Sequence, residues 1–327
     1  MDKIAHASSK LREELFSQSA FALNTTNAII EKDFWVVWVL DKIFAHPLLG
    51  KILMFKGGTS LSKVFHLVGR FSEDIDLILD WREITQEDCA EPLLTKNKQV
   101  KRNEALNQEA LRYIQEKLLP LISTILAPLC TCNIDAANPY NIQVHYPAAF
   151  KDPYLRPQVL LEIGPLASWL PCGEFEISPY AAEQFPQVFE KRDTRVKAIM
   201  AKRTFWEKAT ILHQEAHRSP SKPLPLRYSR HYYDLAMMAQ SSVKNEALQE
   251  RTLLAHVVAF KMQFYPSPWA KFDEATQGAL KLIPPAYRLE ALKKDYEAMK
   301  HMIFQKQCSF EETISLLKSL EDEINRK

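Results

Sequence analysis

One segment, residues 51–79, constrains the fold more than any other part of the chain. Its apolar run Ile52–Phe55 is too short for a helix and ends close to a glycine pair, which predicts a buried strand. The following stretch, Ser60–Val68, has the spacing of a helix. Strict alternation then begins at Asp74–Asp80 and predicts a second strand. The segment therefore predicts a strand–helix–strand unit with a glycine turn at the start of its helix.

Glycine is scarce elsewhere, with 7 glycines in 327 residues against a usual share of ~7%. A β-sandwich or β-barrel would need many more glycine turns, so a mostly helical protein with a modest sheet is favoured. Two of the seven glycines are adjacent, Gly57 and Gly58, which indicates a local need for glycine.

The rest of the hydrophobic pattern predicts an α+β fold, with a small mixed-sheet core in the N-terminal half and an all-helical C-terminal half. Further strands are expected at 129–134, 140–146 and 158–163, and helices at 4–20, 27–44, 97–119, 194–217, 227–240, 246–264, 285–304 and 310–325. We predict a core domain with N-terminal helices over residues 1–190 and a helical domain over residues 191–327 that completes the active-site cleft.

Charge is balanced overall but not along the chain. The net charge of +2 does not indicate a strongly basic nucleic-acid binder. Phe71–Glu91 nevertheless carries eight acidic residues and one basic residue, whereas Lys191–Arg230 carries eleven Lys or Arg and three acidic residues. This separation suits a metal site facing a polyanion, although solvated helix faces also produce it.

The cysteine pattern and the apolar runs bear on the compartment. Five cysteines have irregular spacing and form no CxxC pair, which favours a reduced cytoplasm over a disulfide framework or a zinc site. The N-terminal residues lack the apolar region of a signal peptide, and no run reaches the ~18 apolar residues of a membrane span. A soluble cytoplasmic protein with no membrane partner is expected.

Two carboxylates on the second strand carry the most specific chemistry. Asp74 and Asp76 are two residues apart, so both point to the same face of the strand. Such neighbours repel unless a cation lies between them, and oxygen ligands suit Mg²⁺ or Mn²⁺. Gly58 would let the backbone approach phosphates, and Thr59 and Ser60 add hydroxyls at a helix start. Each signal alone is most often a polar strand end or a turn, but together they are specific.

These motifs, KGGTSLSK and RFSEDIDL, resemble polymerase-β-type nucleotidyltransferases, and in particular the AbiEii/AbiGii toxins of bacterial type IV toxin–antitoxin and abortive-infection systems. EKDFWVVWVL, RTFWEKATILH and RYSRHYYDL are similar to further motifs of that family. The spacer from Gly58 to Asp74 is fifteen residues, longer than in the wider superfamily.

The resemblance implies a metal-dependent enzyme that moves a nucleoside monophosphate from an NTP to an acceptor hydroxyl and releases pyrophosphate. RNA is the expected acceptor, with the tRNA 3′ end used in some family members, and a cognate antitoxin protein is the expected partner. Transfer to a protein or a small-molecule hydroxyl remains open. So does a non-enzymatic nucleotide-binding or antitoxin-binding module.

A third acidic residue is expected to complete the metal site, and the resemblance implies that it lies on a strand. Glu162 lies on the predicted strand 158–163 between two apolar residues, where an unpaired carboxylate would be costly to bury. Asp152 and Glu174 are its competitors.

The resemblance also brings in two residues of the helical half. Lys208 emerges from a largely apolar helix face, either as a snorkelling lysine or as a phosphate-binding cation. Asp234 either pairs with Arg230 along its helix or, as the resemblance implies, belongs to the active site and orients Lys208 or a nucleotide group. We predict that the two halves close over one cleft, with Lys208 facing Asp74 and Asp76 across the bound NTP.

The remaining polar residues near the motifs carry weaker expectations. Lys63 would reach a phosphate or be a solvated surface lysine, whereas Arg70 and Ser72 are expected to make loop contacts only and His231 to be structural. The predicted set is then complete: catalytic Asp74, Asp76, Lys208 and Asp234; nucleotide-binding Gly57, Gly58, Thr59, Ser60 and Lys63; metal-binding Asp74, Asp76 and Glu162.

Overall fold

A mixed sheet of seven strands forms the centre of the first part of the chain. A computed structural model describes residues 1–89, 91–93, 95–152 and 155–326. The sheet has the strand order β3-β4-β5-β2-β1-β7-β6. Its strands are β1 (Leu53–Lys56), β2 (Asp74–Leu79), β3 (Thr131–Ile134), β4 (Asn141–His145), β5 (Gln158–Gly164), β6 (Cys172–Ile177) and β7 (Thr194–Ile199).

The described residues form two compact units. The first comprises residues 1–64 and 71–199, and it contains the whole sheet. The second comprises residues 65–70 and 200–327, of which residue 327 lies outside the described range. The chain therefore leaves the first unit once, for six residues, before it forms β2.

Eight helices belong to the first unit: α1 (Asp2–Ala5), α2 (Ser9–Leu23), α3 (Asn27–Ala45), α4 (Leu49–Ile52), α5 (Gly57–Lys63), α6 (Lys96–Tyr113), α7 (Leu119–Leu126) and α8 (Tyr180–Gln184). A single π-helical turn, Ile114–Leu118, joins α6 to α7. The second unit contains seven further helices: α9 (Ala201–Ala216), α10 (Ser229–Ala239), α11 (Ser242–Gln249), α12 (Thr252–Phe264), α13 (Phe272–Thr276), α14 (Ala286–Met299) and α15 (Phe310–Asn325).

The helix α3 is the most enclosed helix of the first unit. The side chain of Thr26 caps its start by accepting a hydrogen bond from the Ile29 N–H, and the helix ends at Ala45, directly before His46-Pro47. Its aromatic residues lie in the core, where Trp35 stacks on Tyr146 with ring centroids 5.5 Å apart.

Hydrogen bonding shows which face of the sheet α3 covers. The Thr194 hydroxyl donates to the Asp41 carboxylate of α3 at 2.7 Å. Thr194 and Ala198 share a face of β7 by alternation, and Ala198 is paired with Phe55 of β1. The helix α3 therefore packs on the face of the sheet that Phe55 occupies.

The structure confirms the predicted α+β fold, with a mixed sheet in the N-terminal part followed by a helical C-terminal part. The predicted domain boundary between residues 190 and 191 stays a prediction. None of the helices in the described part of the chain combines the length and hydropathy needed to cross a membrane.

Several element predictions were wrong in detail. The helix expected over 194–217 begins only at Ala201, because Thr194–Ile199 alternates between buried and accessible positions and forms the strand β7. The strand β6 was missed. The helix expected over 4–20 is interrupted before Ser9, since Ser8 caps a new helix start there. The helix expected over 246–264 is divided into α11 and α12.

The core of the sheet gives a stability test. Phe55 is fully buried on β1, so Phe55→Ala should lower the free energy of unfolding by about 3–5 kcal/mol, the usual cost of truncating a buried aromatic residue. Phe21 is 91% exposed, and Phe21→Ala should stay within about 0.5 kcal/mol of the wild type. Urea denaturation of both variants measures the difference, and equal losses would contradict the described packing.

Candidate active site

Strand pairing places the three predicted carboxylates on one face of the sheet. Asp76 of β2 lies directly beside Glu162 of the parallel strand β5, and Asp74 lies beside Leu160. Paired residues on neighbouring strands point to the same face, so Asp74, Asp76 and Glu162 share it. Ile75 between the two aspartates is buried on the other face, which α3 covers, while the aspartates are half-buried.

A glycine turn packs against the second aspartate. Gly57 has φ +82°, in the left-handed region, and a Cβ atom placed on it would lie 1.8 Å from Oδ2 of Asp76. Any other residue here would be strained and would displace the carboxylate. The backbone conformation at residue 57 and its close contact with Asp76 thus both require glycine there. The role predicted for Gly58 at the phosphates stays a prediction.

Both hydroxyls at the start of α5 make internal hydrogen bonds. Thr59 is buried and donates to the backbone carbonyl of Asp74, which ties α5 to the first residue of β2. Ser60 is also buried and donates to the carbonyl of Gly57 at 2.9 Å. Both residues therefore stabilise the turn and the strand that carry the carboxylates, and their predicted contact with a nucleotide stays a prediction.

Lys63 is neither solvated nor at the surface. It is 3% exposed, and its Nζ lies 2.9 Å from Oδ1 of Asp33 on α3 and 3.7 Å from the centroid of the Tyr180 ring. The alternative of a solvated surface lysine was wrong. The buried ion pair favours a structural role for Lys63 over nucleotide binding.

The oxygen donors on β2 fit a divalent cation. Mg²⁺ commonly takes one or two protein carboxylates and completes its shell with water and substrate phosphates, so Asp74 and Asp76 suffice on the protein side. Gly57 leaves the Asp76 carboxylate the space that a Cβ would fill. Within the described ranges, His, Cys, Asp and Glu side chains form no group of three or more that could hold a metal ion, so the structure does not bring Glu162 together with Asp74 and Asp76 as a third ligand.

Glu162 is better placed than its two competitors for a third ligand, although this assignment also stays a prediction. It is exposed beside Asp76. Glu174 lies on the edge strand β6 opposite Lys197. The carboxylate of Asp152 accepts a hydrogen bond from the Leu155 N–H at 2.9 Å within its own loop.

A second polar cluster lies entirely within the helical unit. Arg70 donates from Nε to Oδ1 of Asp234 at 2.7 Å and from Nη2 to Oδ2 at 2.8 Å, a bidentate contact. Lys208 donates to Oδ2 of Asp234 at 2.8 Å and to Nδ1 of His231 at 3.0 Å. Asp234 is fully buried between its two cations, so the predicted contact between Asp234 and Lys208 is present in the structure. The active-site role of this pair stays a prediction.

The charges of this cluster shift one another's protonation. Burial alone would raise the pKa of Asp234, but Arg70 and Lys208 hold it well below its usual range. Burial lowers the pKa of Lys208, and Asp234 opposes that shift. Burial and the positive charges of Lys208 and Arg230 lower the pKa of His231 well below its usual value, so its ring is neutral at pH 7.

Arg70 is the residue that sequence reasoning missed, since loop contacts only were expected of it. Its guanidinium is 4% exposed and pairs with a carboxylate 164 residues away in sequence. The residues around Arg70 in the sequence do not indicate that it pairs with this distant carboxylate.

The chain belongs to the AbiEii family, because the family described as "Nucleotidyl transferase AbiEii toxin, Type IV TA system" matches residues 38–315. This match confirms the resemblance drawn from the motifs; it begins at residue 38, within the first motif, and continues past the last one to residue 315. The protein is therefore a nucleotidyltransferase toxin of a type IV toxin–antitoxin system, and the family implies an NTP substrate and an antitoxin partner.

The solved structures that are similar to the chain include two nucleotidyltransferases. MenT4, a nucleotidyltransferase toxin from Mycobacterium tuberculosis H37Rv, is 13% identical with a TM-score of 0.44, over 97% of this chain and 99% of that one. A candidate nucleotidyltransferase from H. pylori is 14% identical with a TM-score of 0.39, over 90% and 93% of the two chains. No curated protein sequence matches the chain.

The glycine turn can be tested by a matched pair of alanine substitutions. Gly57→Ala should abolish the growth inhibition caused by the toxin and lower the melting temperature, because the new Cβ strains the backbone and displaces Asp76. Gly164→Ala on β5 adds a Cβ with no atom within 4 Å and should preserve both properties. Growth curves at matched expression and thermal melts measure this, and a toxic Gly57→Ala variant would contradict the assignment.

The buried cluster predicts a pH dependence of stability. A carboxylate with a lowered pKa in the folded state stabilises the protein above its unfolded pKa and loses that contribution as the pH falls. Asp234→Asn should therefore lower the free energy of unfolding at pH 7 by about 3 kcal/mol, the usual cost of leaving buried charges uncompensated. The difference in the free energy of unfolding between the variant and the wild type should decrease below pH 3.8, the ordinary pKa of aspartate. Urea denaturation from pH 7 to pH 3 measures this, and a gap independent of pH would contradict it.

Proposed function

We propose that this toxin transfers a nucleoside monophosphate from an NTP to a hydroxyl of RNA, with the tRNA 3′ end as the acceptor, and that the reaction depends on Mg²⁺ or Mn²⁺. The observation that carries the proposal is the register of β2, which places Asp74, Asp76 and Glu162 on one accessible face with Asp76 against the Gly57 turn.

The carboxylates of Asp74 and Asp76 would hold the metal, and Glu162 would contribute from the neighbouring strand. The bound metal would supply charge neutralisation at the triphosphate and a lowered pKa at the acceptor hydroxyl. The chain itself contributes position: Thr59 ties the start of β2 to α5, and Gly57 keeps the backbone close to Asp76. Such reactions depend mainly on positioning and on electrostatic stabilisation.

We further propose that the helical unit supplies the cation that meets the triphosphate. Lys208 suits this role because it is a buried amine held by one carboxylate and a neutral histidine. Asp234 would orient Lys208, while Arg70 offsets the negative charge of Asp234 on its other side. A preorganised cation of this kind stabilises charge on a leaving pyrophosphate.

Basic residues support RNA over an uncharged acceptor. Arg192 and Arg195 are exposed around the start of β7, within the basic stretch 191–230. Cationic surface residues bind RNA phosphates through contacts that weaken with salt. Protein and small-molecule hydroxyls are the alternative acceptors that the experiment separates.

The test combines the acceptor assay with matched glutamine and asparagine variants. The purified protein is incubated with each labelled NTP, Mg²⁺ and total RNA, and the label is followed into RNA, protein and pyrophosphate. Asp76→Asn should abolish transfer without loss of stability, because it removes like-charge repulsion from Asp74. Glu162→Gln should lower the transfer rate on the order of 10²-fold, as loss of one electrostatic contact does.

The matched control is Glu174→Gln, an exposed glutamate on the same sheet opposite Lys197, which should keep the wild-type rate. Equal effects of Glu162→Gln and Glu174→Gln would overturn the assignment of Glu162. Label in protein rather than RNA would overturn the acceptor. Full activity after removal of divalent cations by a chelator would overturn the metal dependence.

A further inference from the structure

Three consecutive charged residues near the start of α3 are buried. Glu31, Lys32 and Asp33 are each 1–2% exposed. Successive helix residues point about 100° apart, so the three side chains cannot share one partner. Because an unpaired buried charge is costly, each side chain needs its own contact.

Two of these side chains hold parts of the chain next to the carboxylate pair. Lys32 forms an ion pair with Glu73, and the two side chains are 3% and 15% exposed. Asp33 lies 2.9 Å from Nζ of Lys63 through Oδ1, and its Oδ2 accepts a hydrogen bond from the Tyr180 N–H at 2.6 Å. Glu31 instead accepts from the backbone N–H groups of residues 149 and 150.

The two ion pairs lie at the two ends of one segment of the chain. Lys63 is the last residue of α5, and Glu73 directly precedes β2. The segment between them, residues 65–70, belongs to the second unit. Neighbouring residues of one helix therefore hold the chain where it leaves the first unit and where it returns.

These contacts are made from the face of the sheet opposite the carboxylates. Glu73 directly precedes β2 and pairs with Lys32 of α3, so its side chain lies on the side of the sheet that α3 covers. Lys32 therefore acts on Asp74 and Asp76 through the backbone of β2. The position of β2 matters because the Gly57 turn packs closely against the Asp76 carboxylate, which a Cβ on Gly57 would overlap.

We propose that Lys32 and Asp33 are positioning residues that clamp the two ends of the 65–70 excursion, so that the Gly57 turn and the Asp74–Asp76 pair keep their register. The activity arm of the inference rests on the proposed function. Its structural arm concerns only contacts within the first unit.

The experiment separates positioning from stability by removing the charges one at a time and then together. Lys32→Met and Glu73→Gln keep the side-chain length, and each leaves one buried charge without its partner. The double variant removes both charges of this pair, and replacing a buried ion pair by neutral side chains is often neutral for stability. Three quantities are measured: melting temperature, transfer rate, and amide hydrogen exchange of residues 57–63 and 74–79.

Asp41→Asn is the matched control on the same helix. Asp41 is buried and its Oδ1 lies 2.6 Å from Nζ of Lys191, far along α3 from the excursion. It should lower the melting temperature and leave the transfer rate and the exchange of residues 57–63 and 74–79 unchanged.

Positioning predicts that each single variant loses stability and activity together. The double variant should regain the melting temperature of the wild type, yet its transfer rate should remain ~10- to 100-fold low, as small displacements of reacting groups produce. Exchange at residues 57–63 and 74–79 should stay faster than in the wild type. Recovery of both rate and slow exchange in the double variant would overturn the clamp, as would an equal loss of rate in Asp41→Asn.

Failure of the proposed function gives a different result. If the wild type transfers no label from any NTP, that function is overturned, and the exchange comparison between the double variant and Asp41→Asn still decides whether the clamp exists.

Discussion

The pairing of β2 between β1 and β5 is the constraint on which the candidate site depends. A strand shifted by one residue would send every side chain to the opposite face. In the observed register, Asp76 lies between Lys56 on one side and Glu162 on the other. Ile75 and Leu77 fill the opposite face, so apolar burial fixes the register that exposes the acids. Hydrophobic packing on the reverse side of the same strand thus holds the two aspartates side by side against their charge repulsion.

The helical unit solves a similar problem by a different route. It encloses one carboxylate with two cations, and such a buried cluster is weak evidence for stability because desolvation offsets much of the attraction. The bidentate contact from Arg70 leaves the second oxygen of Asp234 shared with Lys208. Because Arg70 already balances the negative charge of Asp234, that carboxylate holds the amine of Lys208 without cancelling its positive charge.

Sequence patterns predicted the local features and missed the distant ones. The strand–turn–helix–strand order and the acids on one face could be predicted, because alternation and glycine preference act within a few residues. The pairing of Arg70 with Asp234 could not be predicted, since the two residues are 164 positions apart and the sequence around neither of them indicates the contact. The alternative of a solvated surface position for Lys63 was wrong for the same reason, as its partner Asp33 lies on a helix formed earlier in the chain. The strand β7 was misassigned although its alternation was readable, because the basic residues between the buried positions also suit a helix surface.

The excursion at residues 65–70 has a consequence for synthesis of the toxin. Arg70 is made 164 residues before Asp234, and the N–H groups of residues 304 and 305 that bond the carbonyl of Gly69 come later still. At roughly 5–20 residues per second, the segment waits on the order of tens of seconds for these partners. The carbonyl of Gly69 therefore lacks these partners until nearly the whole chain has been synthesised. The order of synthesis thus delays assembly of the helical unit, and the cell that makes this toxin has that interval in which another protein can meet the unfinished chain.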